Sequence, residues 1–167
     1  MKKGILYCVT LFLLTACAKK VVRCALIGEN MNPKKLQSVV TINENRLIAD
    51  TTVVNVSGKV LGSYIHDGND TITDILEYAN VAFTNLKTQE VLGTTSKVDG
   101  LYNIFIPAAT YNIEFQFIGY NRVIIENVKL DTSEIVNLSA NLGQGIGKEY
   151  FEIRKHRANR ELIRKTN

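Results

Sequence analysis

From Val53 onward, apolar and polar residues alternate. Val54, Val56 and Val60 share one phase of a stretch that contains Gly58. Ala79, Val81 and Phe83 alternate with Asn80, Ala82 and Thr84. Tyr102, Ile104 and Ile106 follow Asp99-Gly100, and Tyr111, Ile113, Phe115 and Phe117 follow Pro107, interleaved with Asn112, Glu114 and Gln116. Val136, Leu138, Ala140 and Leu142 alternate with Asn137, Ser139 and Asn141. A period of two sends successive side chains to opposite faces of a strand. Several short strands with one apolar face, separated by turn residues, predict an all-β fold, an antiparallel β-sandwich or barrel. Asp99-Gly100 predicts a tight hairpin turn. Pro107 presets the backbone for the next turn. Gly119 allows a bend at which Tyr120 packs back.

The flanks behave differently. Residues 17–52 show weak periodicity, broken by Asn30, Asn32 and Pro33, and are expected to form a flexible tether. Val39-Val40 and Leu47-Ile48 within it fit edge strands or loop contacts. Leu61 to Tyr78 is expected as a long loop on the rigid sandwich, where binding tends to reside. After residue 142 come the run Gly143 to Gly147 and a basic tail. The run is expected as a flexible exit from the last strand. The tail fits a helix with Phe151, Ala158 and Leu162 on one stripe, or a solvated, frayed segment.

The start of the chain carries an address. Lys2 and Lys3 precede an apolar stretch from Ile5 to Leu14. That is far short of the roughly 20 residues a membrane-crossing helix needs, and it fits a cleaved signal peptide. Leu14, Thr15, Ala16 and Cys17 then resemble the lipobox of bacterial lipoproteins. The resemblance implies cleavage between Ala16 and Cys17, a diacylglyceryl group on the Cys17 thiol and an acylated new amino terminus. Several acyl chains anchor more firmly than one. Ala18, Lys19 and Lys20 lack the acidic residues that follow the cysteine in surface-exported lipoproteins of one large group of Gram-negative bacteria. They also lack the aspartate that favours inner-membrane retention in enteric bacteria. The expected location is the outer membrane, facing the periplasm. Cys8 leaves with residues 1–16 and Cys17 is capped, so Cys24 is the remaining thiol and no intramolecular disulfide forms.

The strands of the central region also carry a family resemblance. "VSGKV" (Val56 to Val60), "YANVAF" (Tyr78 to Phe83) and "SKVDGLYNIFIPAATYNIEFQFIGY" (Ser96 to Tyr120) together resemble the carboxypeptidase regulatory-like domain. That family is a transthyretin-like, seven-stranded sandwich common in envelope proteins of the Bacteroidetes. The resemblance covers residues 53–142 and implies a folding, positioning or binding module without a catalytic role. Ala109 stands where the family usually has glycine. If that turn needs positive φ, alanine is strained there by around 1 kcal/mol.

Charge and chemistry narrow the function. The net charge is +4, with seven basic and three acidic residues in the last 20. With Lys2 and Lys3 set aside, the centre is left slightly acidic, so it offers no face for nucleic acid. The Leu61–Tyr78 segment groups Tyr64, His66, Asp67, Asn69, Asp70 and Asp74 as a candidate binding loop. Its oxygen ligands admit calcium, but without the glycine and closing glutamate of an EF-hand loop, and a solvated turn is the simpler expectation. Asp70-Thr71-Ile72 also resembles a short bacterial O-glycosylation motif. His66 and His156 are the only histidines, which is too few for the usual catalytic zinc set. There is no nucleophile-elbow motif, and the Gly143–Gly147 run lacks phosphate-loop spacing. No catalytic residue, metal ligand or cofactor is assigned beyond the lipid on Cys17. The expectation is a non-catalytic, lipid-anchored envelope protein that presents its sandwich to a protein partner. The alternatives are a glycan-binding lipoprotein, with Tyr64 and Tyr150 as candidate sugar contacts, and a passive spacer.

Overall fold

A computed structural model describes residues 36–46, 52–68, 70–132, 134–156 and 159–165. All lie in one compact unit, Leu36–Asn167. They form two stacked sheets of eleven strands, with no helix among the described residues. β1 (Val39–Arg46), β2 (Val53–His66), β3 (Asp70–Ile75), β6 (Leu101–Pro107) and β9 (Glu134–Gly143) make the first sheet. β4 (Asn80–Asn85), β5 (Val91–Thr95), β7 (Ala109–Gln116), β8 (Arg122–Leu130), β10 (Lys148–His156) and β11 (Asn159–Lys165) make the second.

The first sheet is built around β2. One edge of β2 pairs with β6 over Val53–Lys59 and then with β3 over Leu61–His66. Its other edge pairs with β9, and β9 pairs with β1. The second sheet runs β11-β10-β8-β7-β4-β5. The predicted inward phases fill the space between the sheets: Val54, Val56, Phe83, Ile106, Ile113, Phe115 and Leu138 are fully buried. Edge-to-face ring contacts join Phe83 to Tyr111 (6.3 Å) and Tyr102 to Phe115 (6.0 Å), an arrangement aromatic pairs prefer.

Several expectations need correction. Eleven strands replace the expected seven, and two pairings, β2–β9 and β8–β10, are parallel. Parallel neighbours need a crossover: between β2 and β9 the chain builds β4, β5, β7 and β8 of the second sheet, and between β8 and β10 it passes through β9 of the first. Leu61–Tyr78 is a hairpin of β2 and β3, because β2 continues well past Val60. Val39–Arg46, placed in the tether, is β1, since Val40 and Ile42 bury against the core. The tail is a β-hairpin: Phe151 is buried, while Ile153 and Leu162 pack against the core, with a period of two rather than a helical stripe. Ala158 lies outside the described residues. Gly143–Gly147 is pinned rather than loose, with Gln144 N–H donating to the Ser63 carbonyl and Gly147 N–H to Asn121 Oδ1. Asp99-Gly100 turns the chain between β5 and β6, which belong to different sheets, so it closes no hairpin. Gly100 does take positive φ (76°), as does Gly119 (85°) at the bend before Tyr120. Ala109 is absent from the positive-φ residues and opens β7 opposite Leu130, so no strain arises there.

Candidate functional site

In the β2–β3 hairpin, Gly62 faces Asp74, Tyr64 faces Ile72 and His66 faces Asp70. These pairs share one face, because directly opposed residues point the same way. The structure brings Tyr64 and Asp74 together: the Asp74 carboxylate accepts from the Tyr64 hydroxyl and raises its pKa. Tyr120 joins them from the β7–β8 turn, its pKa raised first by burial and then by Asp74. Its ring occupies the space a Cβ on Gly62 would take, with ring carbons 2.5 and 2.7 Å away. At the tip, His66 and Asp67 approach to 3.2 Å and both are exposed. Asp67 turns with positive φ (46°), and Asn69 lies outside the described residues. Of the six predicted loop residues, the five described ones therefore divide between a contact of Tyr64 with Asp74 and an exposed tip of His66, Asp67 and Asp70. Among the described residues no group of three His, Cys, Asp or Glu side chains is placed to hold a metal ion. Ala16 and Cys17 also lie outside the described residues. Tyr150 is half-buried on the outer face of β10.

The outer faces of the two sheets differ in chemistry. On the second sheet, Arg122 forms a two-pronged ion pair with Glu114, which raises the Arg122 pKa. Next to it Lys165 reaches Glu126 at 2.7 Å and Glu152 at 3.2 Å. Charges of both signs thus ladder across that face.

The first sheet presents amides, hydroxyls and apolar groups. Its registers place Asn103, Ser57, Asn137 and Asn43 side by side across four strands. The next row is Phe105, Asn55, Ile135 and Asn45. In the other direction, Leu101 faces Lys59, and Ser139 faces Thr41. Among the described outward positions of these strands, Lys59 is the one ionisable residue. Phe105 is 65% exposed, and Leu101 and Ile75 line the same side. Asn55 Oδ1 is covered by its surroundings and has no hydrogen-bond partner. A hollow of about 320 Å³ is lined by Ser57, Lys97, Leu101, Tyr102, Asn103 and Asn137. The hollow sits where the regular β2–β9 pairing is interrupted: at Gly58 the two backbones approach so closely that a Cβ would enter the Leu138 carbonyl. Tyr102 bridges the gap, its hydroxyl donating to that carbonyl at 2.6 Å.

This face is not evident from any single strand's sequence. Its signal was the opposite phase of the same alternation, in which asparagine and serine recur at Asn43, Asn45, Asn103, Asn137, Ser139 and Asn141 where charged residues are common on exposed strands. One-strand patterns do not show that these phases lie side by side, because that depends on register.

Residues 65–143 match the family model of the carboxypeptidase regulatory-like domain. The match agrees with the two-sheet, all-β architecture. It begins near the end of β2, so β1, most of β2, β10 and β11 lie outside it. Searches of curated proteins and of solved structures find no match.

Proposed function

We propose that this protein is a non-catalytic, lipid-anchored envelope module whose first sheet presents its outer face to a binding partner. The observation that carries this reading is the contrast between the two faces. The second sheet carries charges of both signs, several of them in ion pairs, whereas the first leaves a face with one ionisable residue, Lys59, and exposed Phe105, Leu101 and Ile75. Interface cores are depleted of charge and enriched in aromatic residues. The absence of a catalytic constellation from the sequence agrees with a binding role. Lys2 and Lys3, the apolar stretch Ile5 to Leu14 and the box ending at Cys17 support export and lipidation, with an outer-membrane, periplasm-facing site.

A photo-crosslinking residue placed at Leu101, and separately at Asn112 on the second sheet, tests this in cells. Adducts are expected from position 101 and not from 112, and they should disappear in Cys17→Ser. Equal adducts from both faces, or none, would remove the basis for a presented face. The mass of the mature chain should begin at Cys17 and include acyl groups.

A further inference from the structure

We infer that the first sheet's outer face binds a neutral, hydroxyl-rich glycan chain laid across the strands along the Asn103–Ser57–Asn137–Asn43 row. This rests on the reading of that face as the binding surface and names its ligand class.

Three observations converge. First, the row offers groups that both donate and accept, in neighbouring strands about 4.8 Å apart. Sugar hydroxyls have the same dual character, so a glycan can satisfy each side chain without a charged partner. Second, the face has almost no counter-charge to offer. An ionic ligand would lose hydration there with little compensation: none of the four side chains of the row is charged, Lys59 stands two residues along β2 from Ser57, and Lys97 is the one cation lining the hollow. Third, apolar and polar groups alternate as a sugar requires. Phe105 stands exposed beside the row, next to Asn55, whose amide oxygen has no partner. A small outward turn of Asn55 toward a ligand hydroxyl would satisfy it. The hollow of about 320 Å³ between Ser57, Asn103 and Asn137 is at the small end of ligand-sized cavities. A protein interface would instead be expected to place its most apolar residues at the centre, whereas here the centre is the amide row and the apolar residues flank it.

The test is affinity electrophoresis of the full chain in neutral detergent, through gels containing an α-glucan, a β-glucan, a mannan or the acidic polymer polygalacturonate. At least one neutral polymer should retard the protein, and added salt should leave the retardation unchanged. Asn103→Ala and Asn137→Ala should each weaken it roughly fivefold, and Asn112→Ala on the opposite sheet should not. Ser57→Arg, which adds bulk and charge at a surface position, should abolish it while the melting temperature stays near the native value. Retardation by the acidic polymer alone, loss of retardation with salt, no retardation by any neutral polymer, or native behaviour of the Asn103 and Asn137 variants would overturn the inference. If glycan binding fails while position 101 still crosslinks to a protein or to a second copy of this chain, the face remains a binding surface and the ligand class is wrong. If crosslinking from position 101 fails as well, both readings fall.

Discussion

Ala109 opens β7 opposite Leu130 in ordinary extended backbone. Glycine in a strand interior adds unfolded-state freedom and removes packing. Ala109→Gly should therefore lower stability by about 0.5–1 kcal/mol, visible as a small drop in melting temperature; a rise would mean that the turn does favour positive φ. Tyr102 shows how a single hydroxyl repairs a break between strands. Its O–H satisfies the Leu138 carbonyl at the place where Gly58 admits close approach. Tyr102→Phe should cost about 1–2 kcal/mol at neutral pH, measured by urea unfolding. Burial also raises the Tyr102 pKa, so the fold favours its neutral form. That contribution is fully present below the ordinary phenol pKa of about 10 and is lost as pH rises through and beyond it. The decline in melting temperature above about pH 10 should be shallower in Tyr102→Phe than in the native protein. Equal slopes would show that Tyr102 is not a source of alkaline instability.

The C-terminal hairpin is part of the sandwich. Phe151 is 4% exposed, and Glu149 beneath it accepts from Ser38 N–H, the Asn121 amide and Arg164. That carboxylate ties the segment entering β1 to the β7–β8 turn and to the last strand. Phe151→Ala should cost about 3–5 kcal/mol, measured by thermal unfolding, whereas a frayed tail would tolerate the change. The residue pattern of this segment fits a helix or a solvated tail as well as it fits a hairpin. Phe151 and Leu162 fit a helical stripe as well as two alternating strands when their partners are unknown. The alternation of β8 is broken in sequence. Its inward residues are Val123 and Ile125, then Val128 and Leu130, because a bulge opposite Asn112, with Asn127 at positive φ (58°), shifts the phase. The strands whose alternation ran unbroken were legible: β4, β6, β7, β9 and the first half of β2. β3 and β5 sit at sheet edges with little burial, so they gave no apolar face to detect. The candidate site was half legible, since Tyr64 and Asp74 do meet. The amide row was not, because it exists only after four strands are set in register.

At the level of the whole molecule, the two outer faces meet water with different chemistry. The second sheet carries paired charges, and the first relies on neutral hydrogen-bonding groups. Such a molecule should unfold as one unit, because β6, β8 and β9 each pair or pack with strands distant in sequence. Non-local pairing also slows folding. Refolding from urea should take on the order of a second, followed by stopped-flow tyrosine fluorescence; a submillisecond phase carrying the full amplitude would contradict this.

The position of β2 has a further consequence, which concerns timing. β2 is central to the first sheet, yet its parallel partner β9 ends only at Gly143. In the exported chain proposed above, β2 emerges ahead of β9 and stays without that partner until the rest of the segment has followed. During this interval a long extended segment has an unfilled edge, the condition under which chains stick to one another. Gly58, Lys59 and Gly62 interrupt what would otherwise be a run of strand formers, and Asn55 and Ser57 keep its second face wet. The same residues that later hold a polar surface at the outside of the sandwich thus guard the newborn strand against a wrong neighbour.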